Sequence, residues 1–271
     1  MKKPPRRWMN WTIAVLAGIV LGAFIGLGPP NLFTKADLIG YAVCHRIESH
    51  SFEIGSREFP LCARCTGTFL GALTGLFGQV VVLRRRREAE FPPAYILAIL
   101  IGFIGLMGFD GLNSYLTMIP GAPYLYEPQQ WLRLTTGALN GLALISILLP
   151  LVNYSLWKTP SPQRTIKGLG NLLVLLLMEA AMVGGVLSGW PPLLYPLALA
   201  SALGVLTMLT LVNTVIVLLL TGWENQYSNW REAIPALLLG MTVALLQVGV
   251  IDLLRYAFTG TLKGGLPGLD V

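Results

Sequence analysis

A chain of 271 residues that is 54% hydrophobic and only 12% charged, with a mean hydropathy of +0.66, is far more apolar than a soluble domain, in which charged residues make up about a quarter of the total. The composition is that of a polytopic membrane protein. The net charge of +6 does not imply nucleic acid, because the basic residues cluster in short loops beside apolar runs, where membrane topology accounts for them.

The chain starts with a basic segment (Lys2, Lys3, Arg6, Arg7) that resembles the n-region of a signal peptide. The apolar run after it, Trp8 to Leu27, exceeds the roughly 7–15 residues of a cleavable core, so a retained first helix is expected. Crossing the hydrocarbon core takes about 20 apolar residues. Seven stretches qualify, at about Trp11–Leu27, Cys65–Leu83, Ala94–Leu112, Leu132–Val152, Leu169–Leu187, Leu194–Leu220 and Ile234–Tyr256. The breaks between them carry Pro, Gly and charge, and no alternating strands suggest a barrel. The expected fold is therefore all-α, because backbone groups in lipid must be satisfied within the segment.

Orientation follows from the basic loops. Lys2 to Arg7, the run Arg84 to Arg87, and Lys158, Arg164 and Lys167 all fall on one side if every span is real, and that side is then cytoplasmic. The expected topology is N-terminus cytoplasmic, seven helices and C-terminus outside, in a multi-pass protein of the plasma membrane. Arg84 to Arg87 read as a stop-transfer anchor; the adjacent Glu88 and Glu90 argue further against nucleic acid.

The segment 31–65 is the one non-spanning stretch with dense chemistry. Its first part, with Leu32, Phe33, Ala36, Leu38, Ile39 and Ala42, has a helical apolar pattern suited to lying along the membrane interface. Cys44-His45-Arg46 follows, and then Pro60-Leu61-Cys62-Ala63-Arg64-Cys65-Thr66-Gly67. This segment holds all three cysteines and both histidines of the chain.

Cys62 and Cys65 form a C-x-x-C that lets two thiolates face one ion, and Cys44 with His45 or His50 completes a Cys3His set. Such donors favour zinc or iron over magnesium or calcium. Adjacent Cys44 and His45 can share an ion only where the backbone is irregular. The same residues support redox chemistry, since a cysteine at a helix N-terminus beside Arg64 is expected to be acidic, and Cys62 is the candidate. A structural disulfide or a structural zinc is the third reading, and the residues leave all three open.

Arg64, Asp110, Asn113 and Arg133 are the candidate catalytic, pocket-lining residues. The topology puts them at the outer ends of the second, third and fourth spans, where ionisable groups pair or serve a pathway. An Asp110–Arg133 ion pair between two helices is the plainer alternative. Asp252 and Arg255 fit a local i,i+3 pair, with membership of the same polar cluster as the alternative. Glu179 and Gln247 lie inside spans. Gly67, Gly71 and Gly75 recur every fourth residue, which suits close packing against another helix of the bundle. Trp223, Tyr227 and Trp230 suit an interfacial belt.

Cys44-His45-Arg46 with Ser51-Phe52, the Pro60 to Gly67 run, Phe109-Asp110-Gly111 with Asn113-Ser114, and Arg133 to Gly137 with Gly141 together resemble the DUF2085 family of uncharacterised membrane proteins, over roughly Leu38 to Leu149. Glu48-Ser49-His50 departs from it, where the family often has an Arg before Ser-Phe. The resemblance implies an integral membrane protein and brings no activity with it. It divides the chain into a membrane domain at 1–152 and a C-terminal three-helix extension at 153–271.

The leading expectation is a metal site of three cysteines and a histidine beside an Arg/Asp/Asn pocket. The two arginines suit an anionic group such as a lipid phosphate. A thiol-disulfide oxidoreductase that uses the Cys62–Cys65 C-x-x-C, with Cys44 resolving or free, and passes electrons to a membrane quinone, and a transporter or assembly factor, are the alternatives. No P-loop, dinucleotide fingerprint or H-E-x-x-H occurs.

Overall fold

The computed structural model describes residues 7–55 and 57–261. In chain order these form α1 (Arg7–Gly26), α2 (Leu32–Val43), a 3-10 turn (Glu48–His50), β1 (Ser51–Ile54), β2 (Arg57–Cys62), α3 (Ala63–Phe77), β3 (Glu88–Glu90), α4 (Ala94–Leu116), α5 (Gln130–Leu156), β4 (Ser161–Arg164), α6 (Leu169–Leu187), α7 (Pro191–Thr221) and α8 (Trp230–Thr259). A π-helical turn, Gly78–Val82, prolongs α3. The architecture is that of a polytopic helical membrane protein. Six helices are long and apolar enough to cross a membrane, Ala63–Val82 and α4 to α8; the apolar stretch of α1, Asn10–Gly26, is shorter. All seven expected spans are helices, with ends shifted by a few residues.

The centre of the bundle is α5. Its apolar window is 67% buried against 17% for α4, which leaves α4 at the periphery with Ile101, Leu106 and Phe109 exposed to where lipid would lie. Glycine sets the close approach of α3 to α5. A Cβ at Gly67 would strike the Leu134 carbonyl, one at Gly71 the Ala138 carbonyl, and one at Gly141 the Thr68 carbonyl. The four-residue glycine repeat therefore packs α3 within the bundle.

Two short sheets close the ends. β1 and β2 form an antiparallel hairpin with Ser51 opposite Cys62, and β3 pairs with β4 in parallel. The hairpin turns at Gly55, whose φ of +65° suits a residue without a side chain. On the β3–β4 face, Arg87 donates to the Ser228 carbonyl at 2.9 Å and covers the Trp157 ring, so the loops after α3, α5 and α7 meet there. Tyr227 is buried and Trp157 stacks edge-on against Trp230, so this aromatic group is partly core rather than a simple belt.

On the opposite face α2 departs from expectation. It does not lie along the surface: Phe33, Ala36, Ile39, Gly40, Tyr41 and Ala42 are buried, against α7, α8 and β2. The helices after residue 153 supply the apolar wall that encloses it. Lys35 donates to the carbonyls of Phe24 and Ile25, satisfying the last turn of α1 and fixing the corner between α1 and α2.

Candidate metal centre

Three local features bring the cysteines together. Helix α2 stops at Val43 because Cys44 turns to extended backbone (φ −125°, ψ 146°) and Arg46 adopts a left-handed φ of 50°. Arg46 is held in that turn by Asp37 at 3.2 Å, and the other oxygen of Asp37 takes Arg57 at 2.8 Å. Gly40, lacking a Cβ, lets the Pro60 carbonyl of β2 lie against α2. Strand β2 then delivers Cys62 as the residue that caps α3.

As a result, the ligand atoms of Cys44, His45 and Cys62 all lie within 4.8 Å of one another. Donors about 2.0–2.3 Å from a tetrahedral zinc stand roughly 3.5–4 Å apart, so this cluster is compatible with holding a metal ion. The irregular backbone that adjacent ligands require is the turn at Cys44 to Arg46. Cys65 is outside the tight trio, but its thiol reaches those of Cys44 and Cys62. The three cysteines are unbridged. His50 lies edge-on to His45, with ring centroids 5.8 Å apart, one position further out.

The electrostatics single out Cys44. Hydrogen bonding from Cys62, then from Cys65, holds its thiol well below the ordinary range, while burial opposes the shift. Its Sγ also accepts backbone N–H groups from Cys62 at 3.3 Å and Arg46 at 3.4 Å. Cys62, expected to be the acidic thiol, is instead pushed up to about 12, first by its bond to Cys44. The sulfur with the most donors is the one whose thiolate is favoured. Burial, then the nearby Arg133 guanidinium, pushes His50 down to about 4.

The polar cluster beside the thiols is arranged differently from the expected Asp110–Arg133 pair. Asp110 pairs with Arg64, whose Nε donates to Oδ2 at 3.1 Å, and Asp110 Oδ1 accepts from Tyr126 at 2.9 Å. Arg64 also donates to Ser114 at 3.0 Å. Helix α3 turns Arg64, two residues past Cys62, toward α4, and so it reaches Asp110 first. Asn113 ties down the following loop, accepting from the Leu125 amide and donating to the Tyr126 carbonyl, each at 2.8 Å. Arg133 keeps only the Ser114 hydroxyl, at 3.4 Å.

Arg255 is corrected as well. It forms no ion pair with Asp252; it donates to the carbonyls of Tyr41 and Cys44, satisfying the end of α2. Sequence reasoning missed Asp37, Ser114 and Tyr126. Asp37 lies nine residues before Arg46 with no motif around it, and only the Asn113-Ser114 pair hinted at Ser114.

Fold and site together define a multi-pass helical membrane protein with a Cys/His cluster on one face. The chain belongs to the DUF2085 family, described as "Predicted membrane protein (DUF2085)", whose match runs over residues 44–147. It is 33% identical over 84 residues to an uncharacterized protein of Methanothermobacter thermautotrophicus, a match covering 30% of this chain and 76% of the relative. It is 32% identical over 125 residues to a protein of Methanocaldococcus jannaschii named "Probable membrane transporter protein", covering 40% of this chain and 46% of that relative. The chain thus spans less than half of the second relative. No solved structure matches.

Proposed function

We propose that Cys44, Cys62, Cys65 and His45 hold one zinc or iron ion at the extracytoplasmic face of the plasma membrane, beside a pocket formed by Arg64, Asp110 and Arg133. The observation that carries this reading is the mutual approach of the Cys44, His45 and Cys62 ligand atoms. The backbone N–H groups of Arg46 and Cys62 that point at Cys44 Sγ support it, because they favour the thiolate, the form that binds metal. If the Cys44, His45 and Cys62 trio held the ion with Cys65 standing off, a fourth position would stay open and the ion would supply Lewis acidity toward a group in the pocket. In this reading residues 1–152 carry the ligands, and 153–271 brace them through Arg255.

The test is elemental analysis of detergent-purified protein with a free-thiol count on the same sample. About one zinc or iron per chain, lost from a Cys62→Ser, Cys65→Ser variant, is the expected result. Metal-free protein with three titratable thiols removes the reading. The side of the membrane is tested by attaching an impermeant maleimide to intact cells carrying Leu125→Cys or Ser161→Cys, read against the unsubstituted protein. Positive-inside topology requires labelling of the first and not the second.

A second reading, thiol-disulfide exchange, is favoured by the contrast between the acidic Cys44 and its neighbour Cys62. There the Cys44 thiolate adds to a membrane quinone, Cys62 displaces the hydroquinone to form the Cys44–Cys62 disulfide, and a substrate dithiol then reduces that disulfide and is itself oxidised. This reading requires one free thiol and a Cys44–Cys62 disulfide in the oxidised protein, without metal.

A further inference from the structure

Arg133 is the least satisfied charge near the cluster. It sits in the first turn of α5 with 5% of its surface exposed. Its Nε reaches Ser114, but its two terminal nitrogens find no acceptor among the described residues, and neither is sealed from solvent. Asp110 makes no hydrogen bond to it, since both oxygens of that carboxylate are engaged by Arg64, Tyr126 and Thr136. A guanidinium that is both buried and unpaired is costly, and at membrane depth such a group marks a ligand site or pathway.

Arg133 lies close enough to Cys62, Arg64 and Asp110 to feel their charges, and His50 in turn feels Arg133. Gln130, three residues earlier on α5, donates to the Ser49 carbonyl at 2.8 Å and holds the His50 turn over this end of the helix. Arg64 and Asp110 pair with each other, so the Arg133 guanidinium is left without a hydrogen-bonded carboxylate, presented as a planar fork with the Ser114 hydroxyl beside it. That fork matches two oxygens of a phosphate or similar oxyanion.

We propose that Arg133 and Ser114, with His50 at the rim, bind a phosphate-type oxyanion next to the Cys/His cluster, either from a lipid headgroup or free in solution. The role of this group as a substrate rests on the metal-centre reading; its binding rests on the geometry of Arg133 alone. The ligand is a phosphate ester or phosphate, and the lipid or soluble source decides whether access is from the bilayer or from the aqueous face.

The test titrates purified full-length protein in neutral detergent with inorganic phosphate and, separately, with dioctanoyl phosphatidylglycerol, using dioctanoylglycerol as the uncharged control. Saturable binding of at least one anion, weakened roughly tenfold or more in Arg133→Gln and partly kept in Arg133→Lys, is expected, because hydrogen bonds to charged groups are the strong ones. Tighter binding of the lipid assigns the headgroup, and tighter binding of phosphate assigns the soluble anion. No saturable binding, or equal binding in Arg133→Gln, overturns the proposal. If Arg133→Gln fails to fold, Ser114→Ala carries the same criterion. Metal content measured on each sample separates the two claims: anion binding by metal-free protein leaves this site standing and removes the metal centre, whereas a metal-loaded protein indifferent to Arg133 does the reverse.

Discussion

Arg255, one turn from the end of α8, donates through Nη1 to the Cys44 carbonyl at 2.8 Å. The same guanidinium reaches the Tyr41 carbonyl and covers the Tyr41 ring, 4.1 Å from its centroid. A cation at a helix C-terminus satisfies orphan carbonyls and opposes the negative end of the helix dipole. The last helix of the chain, outside the family match, thus fixes the backbone of the first cysteine of the family motif.

Arg255→Met keeps the apolar stem and removes the charge. It is expected to cost about 1.5–3 kcal/mol, the range for a hydrogen bond to a charged group. Alkylation of Cys44 by a small maleimide is expected to accelerate several-fold. Mass spectrometry of the labelled peptide reads this out, and an unchanged rate would deny Arg255 any part in holding the site.

The Arg64–Asp110 pair joins α3 to α4 beside the thiols, with 2% of the Asp110 side chain exposed. Breaking a buried pair leaves an uncompensated charge and costs about 3–5 kcal/mol, while replacing both partners with apolar groups is often neutral. Asp110→Asn is therefore expected to lower thermal stability in detergent far more than the double change Arg64→Met, Asp110→Leu. Equal losses in the single and double variants would show that the pair is not coupled.

Tyr126 closes the other side of Asp110. Burial, then its bond to that carboxylate, pushes its hydroxyl up to about 12 from an ordinary 10. Above pH 10 the unfolded chain releases this proton before the folded protein does. The stabilising contribution is complete below pH 10 and disappears as the pH rises through 12. Wild-type protein should lose stability between pH 9 and 11 more steeply than Tyr126→Phe, measured as the difference in melting temperature at each pH.

Gly141 and Gly67 carry the approach of α5 to α3, and in both cases the obstacle to a side chain is backbone that cannot move aside. Gly141→Ala or Gly67→Ala is expected to cost at least about 1–3 kcal/mol, as overpacking of a close-packed interface does. Gly105→Ala on α4, where nothing lies within 4 Å, serves as the control and should be neutral or better.

The spans were legible because 20-residue apolar runs bounded by charge admit few other structures in lipid. The glycine repeat was legible for a similar reason, since a four-residue spacing marks one helical face. What the sequence withheld depended on the rotation of one helix against another. Arg64 and Arg133 both lie within reach of α4, and only the relative rotation of α3 and α5 decides which takes Asp110. Arg255 is 211 residues from Cys44, with no local pattern linking them. The hairpin β1–β2 was hidden because it is short, and its strands lack the alternation that marks a half-buried sheet. The acidic thiol was misplaced for a third reason: helix position pointed to Cys62, but the donors gathered by the turn at Arg46 favour Cys44.

Glu179 bears on whether the protein moves a solute, as the name of one relative suggests for that relative. It is 2% exposed in α6, and neither carboxylate oxygen has a hydrogen-bond partner among the described residues. A buried polar group without a partner destabilises by roughly 1–3 kcal/mol on mutational evidence. Glu179→Leu should therefore raise thermal stability, and a residue kept only for structure would then be dispensable. Loss of ion- or substrate-driven uptake in proteoliposomes with that gain in stability would move the functional centre from the cysteines to α6.

Removal of the metal gives the most direct reading of how much of this fold depends on the cluster. The proposed donors come from the end of α2, the end of β2 and the first turn of α3, so a bound ion would join three elements that also meet through the apolar cluster of Ala36, Ile39 and Leu61, a glycine contact and the Asp37 ion pairs. A ligand that binds only the folded state stabilises it by RT ln(1 + [L]/Kd), about 4 kcal/mol at a thousandfold excess over Kd. Chelation should lower the melting temperature, and added zinc should restore it. Cys62→Ser, inside the tight trio, should abolish that response, whereas Cys65→Ser, outside it, should weaken it. Acid should mimic the chelator, because protons compete for the thiolates and the imidazole. If the melting temperature stays constant while elemental analysis shows the ion gone, the ion does not hold these elements together, and the hydrogen bonds around Cys44 are what maintain this face of the protein.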